Sequence, residues 1–361
     1  HYYLTDNLLK ETEKAPKVSY LLEPKGRNTA PAIALAVRHV QKDHGDEAIC
    51  LVLAADHLIS DDAAFGKAVS QAAEQAQEGN LVVFGIRPTA PETGYGYLEV
   101  AAAGDGPQAL KSFIEKPDRA TAEKYLFEGR YYWNSGMFCF TAGVMTENMA
   151  AHAGDVWVAS ETAFFEAQEE AGVTRFAEAS FIAQPDISID YAVMEKAERI
   201  AMVPAGFGWS DVGSWDAVAG AHDGDANGNS ATGADKVQFV EARDTHIASS
   251  SLTEKVIAAI GVENLVIIDT PDALLVANRA KSQEVKLVVE ALKASADAEL
   301  TELPATVHRP WGTYATLKQE DGYQVKRITV AAWAKTKPAI SPQASRALGG
   351  NARQSYCANW G

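Results

Sequence analysis

The sequence predicts an α/β protein: a domain built on an open, mostly parallel sheet, followed by a small domain of short strands and the start of a further β domain. Three observations predict it. Continuous apolar runs, ICLVLAADH (49–57) and LVVFGI (81–86), alternate with stretches of helical periodicity at 29–43 and 62–79. The polar stretch DGDANGNSATGAD (223–235) then interrupts this alternation. Beyond it the apolar runs become short and closely spaced.

Taken in order, TAPAIALAVRHVQKD (29–43) carries apolar residues at helical spacing, and Pro31 suits a first helical turn. The run 49–57 predicts a strand buried on both faces, and 81–86 a second one. YGYLEV (95–100) and KSFIEKP (111–117) alternate like a hairpin or a sheet edge. A helix is predicted over 119–129, a strand over MFCFTAGVM (137–145), and helical stretches to about 198. IAMVPAGFGWSDVGSWDAV (200–218) predicts a strand, a loop and a helix. The runs THIASS, KVIAAIG, NLVIIDT and ALLVANR between 245 and 279 predict either a small β-sandwich or a few coils of a β-helix. A helix is expected over 281–297 and a hairpin over 308–330. Residues 331–361, rich in Ala, Ser, Gly and Pro, show no period. The expected domains are 1–224, 225–300, 301–330 and a tail, 331–361.

With 361 residues, 47% hydrophobic and 22% charged, the chain is long enough for two or three cores. A net charge of −16 argues against a nucleic-acid partner, which needs a basic face. No apolar run is long enough to span a membrane, and no secretory signal opens the chain. Cys50, Cys139 and Cys357 are odd in number and widely spaced, as expected of reduced thiols in a cytoplasmic protein.

Four stretches carry candidate chemistry. EPKGRNTAP (23–31) sets Gly26, Arg27, Asn28 and Thr29 ahead of a helix, where backbone N–H groups favour an anion; Asn28 or Thr29 as a plain N-cap is the simpler alternative. Asp56 lies past the end of a strand, where it could bind Mg²⁺ or cap the next helix. Glu115 and Lys116 end the FIEKP strand, either as ligand contacts or as a solvated pair. Asp211 sits between two tryptophans in GWSDVGSW (208–215), as a second metal carboxylate or as part of a helix start. Two carboxylates and a lysine at strand ends of one α/β domain suit the transfer of a phosphate-bearing group.

In this order, EPKGRNTAPAIALA, AADH, TGYGYLEV, FIEKP, YYWNSGMF, SIDYAVMEK and GWSDVGSW resemble the bacterial mannose-1-phosphate guanylyltransferases, over about residues 20–330. VENLVIIDTPDALLVANR and RPWGTY resemble the form in which a cupin phosphomannose isomerase follows the transferase. The resemblance implies a GT-A-like, Rossmann-like nucleotidylyltransferase domain followed by a β-helix-like domain and the start of a cupin domain, with GTP and mannose 1-phosphate as substrates, GDP-mannose as product, Mg²⁺ as cofactor, and a place in polysaccharide biosynthesis. It implies that Asp56 and Asp211 bind the metal, and that Gly26, Arg27, Asn28 and Thr29 lie near the nucleotide. Gly94, Tyr95, Glu115 and Asn134 would contact the sugar, and Lys116 its phosphate. The family's opening Gly-rich loop has no counterpart ahead of His1, so an inactive or nearly inactive product is the expectation. No histidine follows His308, so isomerase activity is not expected either. A shift of reading frame is the favoured explanation of the tail: codons permitted for Ala347-Leu348-Gly349-Gly350, taken one base later, give His-Trp-Val-Val. The alternatives are a related sugar-1-phosphate nucleotidylyltransferase, a catalytically dead subunit that binds sugar nucleotide, and a structural role in which the strands of 245–280 serve a homo-oligomer.

Overall fold

The computed structural model describes residues 2–10, 12, 17–251, 255–295, 298–301, 306–309, 311–320, 323–330 and 354–358. Along the chain these form α1 (Tyr2–Lys10), β1 (Tyr20–Leu22), α2 (Thr29–His44), β2 (Ile49–Val52), β3 (Leu58–Ile59), α3 (Asp62–Gln77), β4 (Leu81–Ile86), β5 (Tyr97–Val100), β6 (Gln108–Ile114), α4 (Arg119–Glu128) and β7 (Tyr131–Thr141). Next come α5 (Ala142–His152), α6 (Gly154–Phe165), β8 (Gln168–Glu170), β9 (Val173–Arg175), α7 (Glu178–Ile182), a π-helical turn (Asp190–Met194), β10 (Ile200–Ala205), β11 (Trp209–Ser210) and α8 (Trp215–Gly220). The short strands are β12 (Ser230–Thr232), β13 (Val237–Val240), β14 (His246–Ser249), β15 (Ile257–Ile260), β16 (Leu265–Asp269) and β17 (Leu274–Asn278). A 3₁₀ turn (Arg279–Glu284), α9 (Val285–Lys293), β18 (Thr306–Arg309), β19 (Gly312–Glu320), β20 (Tyr323–Val330) and β21 (Gln354–Ala358) complete the order. The chain divides into two units, one of residues 17–211 and one of 1–16 with 212–361.

In the unit 17–211 a six-stranded sheet runs in the order β2-β7-β4-β10-β6-β5, and β5 also pairs with β7. The α/β class holds, but the expectation of a mostly parallel sheet does not. Among the described residues of this sheet only β4 and β10 pair in parallel, from Leu81↔Ile200 to Ile86↔Ala205. The other pairings are antiparallel. The cause lies in β7, which inserts between β2 and β4 and so separates two strands that point the same way. The apolar run of β4 reports burial on both faces rather than the direction of its partners. Leu81 and Val83 join a core with Val37 of α2, Phe140 of β7, Met145 of α5 and Val156 of α6. Val82, Phe84 and Ile86 face the other side, against Ala68, Ala72 and Ala76 of α3. That stripe of small residues lets the helix lie close to the sheet.

β2 corrects a second expectation. It spans Ile49–Val52 rather than 49–57, and it is half-exposed. As the edge strand it is covered less fully than β4. The strand expected over 137–145 begins at Tyr131 and stops at Thr141, whose hydroxyl accepts from the Val144 N–H at 3.3 Å and starts α5. The hairpin expected from 95–100 and 111–117 is present, with Tyr97 opposite Ile114.

In the second unit β12, β14 and β16 stack in parallel, Ser230↔His246↔Val266 in register, and β13 stacks on β15. Successive parallel strands in register are coils of a β-helix, which decides between the two sequence alternatives. Asn229, 3% exposed, ties the coils: its Nδ2 donates to Ala242 O at 2.9 Å and its Oδ1 accepts from Thr245 N at 3.2 Å. The α8 residues Trp215 and Ala219 pack on Val266 and Ile268. With α8 packed on the coils, the division between units falls before Val212. β18, β19 and β20 form the hairpin sheet expected at 308–330. Within 331–361, where the sequence predicts no element, Gln354–Ala358 pairs antiparallel with β20; an open strand edge can accept a neighbour without any side-chain period. The other residues of that stretch lie outside the described residues.

Candidate active site

The strand ends of the unit 17–211 carry the site. β3 and β11 pair antiparallel, with Ser210 opposite Leu58. Asp211 therefore continues from β11 toward the turn that holds Asp56. Asp56 is exposed and Asp211 half-buried. The short ladder needs Gly208: its φ is +65°, and a Cβ there would fall 1.9 Å from Ser60 Oγ. Trp209 Nε1 donates to His57 Nδ1 at 3.1 Å.

The sugar-loop tyrosine joins this end. Tyr95 Oη donates to Asp211 Oδ1 at 2.9 Å. Burial and then the Asp211 carboxylate push the Tyr95 phenol well above its ordinary range, so it stays a donor. Tyr95 packs edge-on against Trp133 and Trp209, with centroids 5.2 and 5.9 Å away.

Glu115 and Lys116 would point to opposite faces if the strand continued. It does not: β6 ends at Ile114, and Lys116 takes a left-handed φ of +46°. Its N–H donates to Tyr95 O at 3.2 Å. The turn brings the two side chains together, with Lys116 Nζ 3.0 Å from Glu115 Oε1. The hydrogen bond to Glu115 raises the Lys116 ammonium pKa further, so the lysine is a cation at neutral pH. Glu115 also lies over Gly96, where a Cβ would meet Glu115 Oε2 at 2.6 Å. Asn134 completes this end. Its N–H donates to Gly96 O at 2.8 Å, and its Nδ2 to Asp190 Oδ1 at 3.0 Å.

Thus the structure brings together Asp211 with Tyr95, and Glu115 with Lys116, Gly96 and Asn134. Gly94 and Gly26 are exposed, and a Cβ at either would meet nothing within 4 Å. The stretch 27–29 is engaged with the fold. The Arg27 guanidinium donates to Ile182 O. Asn28 caps α2 at Thr29 N, 2.9 Å, as one of the sequence alternatives had it. Thr29 Oγ1 accepts from Ile189 N at 2.8 Å. Sequence reasoning assigned no role to His57, Gly96 or Asp190, and read Trp209 only as one of two tryptophans flanking Asp211. The only signal for Asp190 was its place in SIDYAVMEK.

A layered α/β sheet with two carboxylates, a lysine and an asparagine at its strand ends defines a group-transfer enzyme of the nucleotidyltransferase class. A nucleotidyl transferase family profile matches residues 1–228, and the chain belongs to that family. Profiles described as MannoseP isomerase/GMP-like beta-helix domain and Mannose-6-phosphate isomerase C-terminal match 238–292 and 296–341. The chain is 44% identical over 330 residues to the xanthan biosynthesis protein XanB of Xanthomonas campestris, covering 91% of this chain and 68% of that one. It is 43% identical over 334 residues to a mannose-1-phosphate guanylyltransferase of Klebsiella pneumoniae, covering 91% and 69%. Its fold is similar to that of a Thermus thermophilus protein described as a mannose-1-phosphate geranyltransferase, with a TM-score of 0.65, 34% identity, and coverage of 75% of this chain and 77% of that one. No helix among the described residues is long and apolar enough to cross a membrane.

Proposed function

We propose that this chain carries the site of a mannose-1-phosphate guanylyltransferase, which forms GDP-mannose and pyrophosphate from GTP and mannose 1-phosphate in the cytoplasm, for polysaccharide synthesis. The observation that carries the proposal is the Tyr95–Asp211 hydrogen bond, which links the sugar loop to the carboxylate end. Relatives bearing the guanylyltransferase and xanthan names support the substrate and the pathway class.

A divalent metal fits the residues present. Asp56 and Asp211 supply hard oxygen ligands, and Mg²⁺ binds through one or two carboxylates with waters and substrate phosphates. When bound, the metal would neutralise charge on the phosphates.

The rest falls to the chain itself. Lys116 holds the sugar phosphate as a cation, while Glu115 and Asn134 take the sugar hydroxyls. Tyr95 orients Asp211. Gly26, Arg27, Asn28 and Thr29 shape the nucleotide side, and Gly94 leaves room for the sugar. An oxygen of mannose 1-phosphate bonds to the α-phosphorus of GTP as the bond from that phosphorus to the β-phosphate oxygen breaks, and pyrophosphate leaves with the electron pair. Positioning and charge carry the reaction without a covalent nucleophile. Isothermal titration of the full chain with GDP-mannose and Mg²⁺, beside Asp211→Ala, tests the proposal. The expected result is binding that the variant loses. Absence of binding by the folded wild-type chain would overturn it.

A further inference from the structure

Asp190 is a largely buried carboxylate that the transferase scheme leaves unused, and it meets groups from β7 and from the loop after β6. Asn134 lies where β7 bulges against β4, the pairing shifting between Val83 and Gly85. A bulge re-aims the side chains beside it. The Asn134 carboxamide oxygen accepts from Gly136 N at 3.1 Å, and its nitrogen donates to Asp190 Oδ1 at 3.0 Å. Among the described residues these bonds leave one N–H and one oxygen lone pair of the carboxamide for a ligand.

Asp190 opens the π-helical turn, a rare form that recurs at functional sites. The turn is anchored from the other side of the chain, since Ile189 N donates to Thr29 Oγ1 at 2.8 Å and Ala30 N to Ile187 O at 3.1 Å. The carboxylate is thus held by backbone that α2 fixes.

We infer that Asp190 is a positioning residue of the sugar end: it fixes the Asn134 carboxamide so that Asn134 and Glu115 meet the ligand as one set of hydrogen-bonding groups. The identity of the ligand rests on the guanylyltransferase proposal; the clamp itself does not. The groups that act on Asp190 are Glu115 and Lys116 from the loop after β6 and Asn134 from β7. Burial first, and then the Glu115 charge, raise the Asp190 carboxyl to about 6, against the lowering effects of Asn134 and Lys116. An ionised Asp190 accepts the carboxamide hydrogen bond more strongly than a protonated one. The clamp is therefore strongest above that pH and loosens below it.

Two measurements on the full chain test this. The first is titration with mannose 1-phosphate and with GDP-mannose of the wild type, Asp190→Ala and Asp190→Asn. Asp190→Ala should bind roughly tenfold more weakly, because the loss of one charge-assisted hydrogen bond is of that order. Asp190→Asn, whose Oδ1 still accepts, should stay within about threefold. The second is the pH dependence of the Asn134 carboxamide signals in the unliganded chain, assigned with Asn134→Ser. They should move with a midpoint near 6 in the wild type and stay still in Asp190→Asn. Unchanged binding by a folded Asp190→Ala, or Asn134 signals indifferent to pH, overturns the inference. If the wild type binds neither ligand, the guanylyltransferase proposal fails, and the pH titration still decides the clamp.

Discussion

The two units bury their apolar residues by different rules. In 17–211 a sheet covered on both faces places large side chains such as Tyr97, Tyr132, Phe84, Phe140 and Phe207 almost wholly out of solvent. In the β-helix coils the interior is thin. Ala242, Ile247 and Ala259 fill one cluster, and Ala219, Val266 and Ile268 another. Val240, Ile260, Leu274 and Val276 remain about half or more exposed. Such coils hold by backbone stacking and by buried polar anchors such as Asn229 and Asp269, whose carboxylate takes Lys255 and Ser249 at 2.6 and 2.7 Å. The lesson is that packing volume stabilises the first unit, and hydrogen bonds the second.

Substitutions that remove one kind of support sharpen this contrast. The largest effect is expected of Phe84→Ala, which opens a cavity between β4 and α3 and should destabilise the unit 17–211 by about 3–5 kcal/mol in denaturant unfolding. Comparable loss from Ala259→Gly in the coils would break the contrast. At the site, Lys116→Ala should lower any nucleotidyl transfer by roughly 10²–10³-fold, the scale of removing one preorganised electrostatic group, with thermal stability unchanged. Asn229→Ala leaves Ala242 O and Thr245 N without their partner and should cost about 1–3 kcal/mol. Ser214→Ala removes the cap that accepts from Ala217 N and should cost about 1 kcal/mol. A separate effect concerns pH. Asp190 has a folded pKa raised to about 6 from 3.8, so its contribution to stability is full below 3.8 and is lost as pH rises through 6. Asp190→Asn should therefore raise the melting temperature above pH 6 and give little gain near pH 4. An equal gain at both would place the raised pKa elsewhere.

Much of this was legible in the sequence, for identifiable reasons. The helices over Thr29–His44 and Asp62–Gln77 follow from periodicity, and the short strands after 230 from closely spaced apolar runs, which left a sandwich and stacked coils equally open. Strand direction was not legible, because the run of β4 records what covers its faces and not which way its neighbours run. The site was legible as a set of motifs, but its wiring was not. Nothing in FIEKP shows that Lys116 turns left-handed to meet Glu115, and nothing in GWSDVGSW names Tyr95 as the partner of Asp211. Such contacts depend on loops from distant segments meeting in space.

The strand order also sets a timetable for synthesis. β2 and β4 leave the ribosome early, yet each must wait for β7, and β4 waits further for β10 at Ile200–Ala205. During that interval two strands have open edges, which is the hazard of non-local pairing. The coils after Val212 carry a much shorter delay, since the parallel strands there stack on ones that precede them by one coil, as Ser230 pairs with His246 and His246 with Val266. Slowed translation before residue 205 should thus prolong the vulnerable state of the α/β unit, whereas the β-helix can form as it emerges.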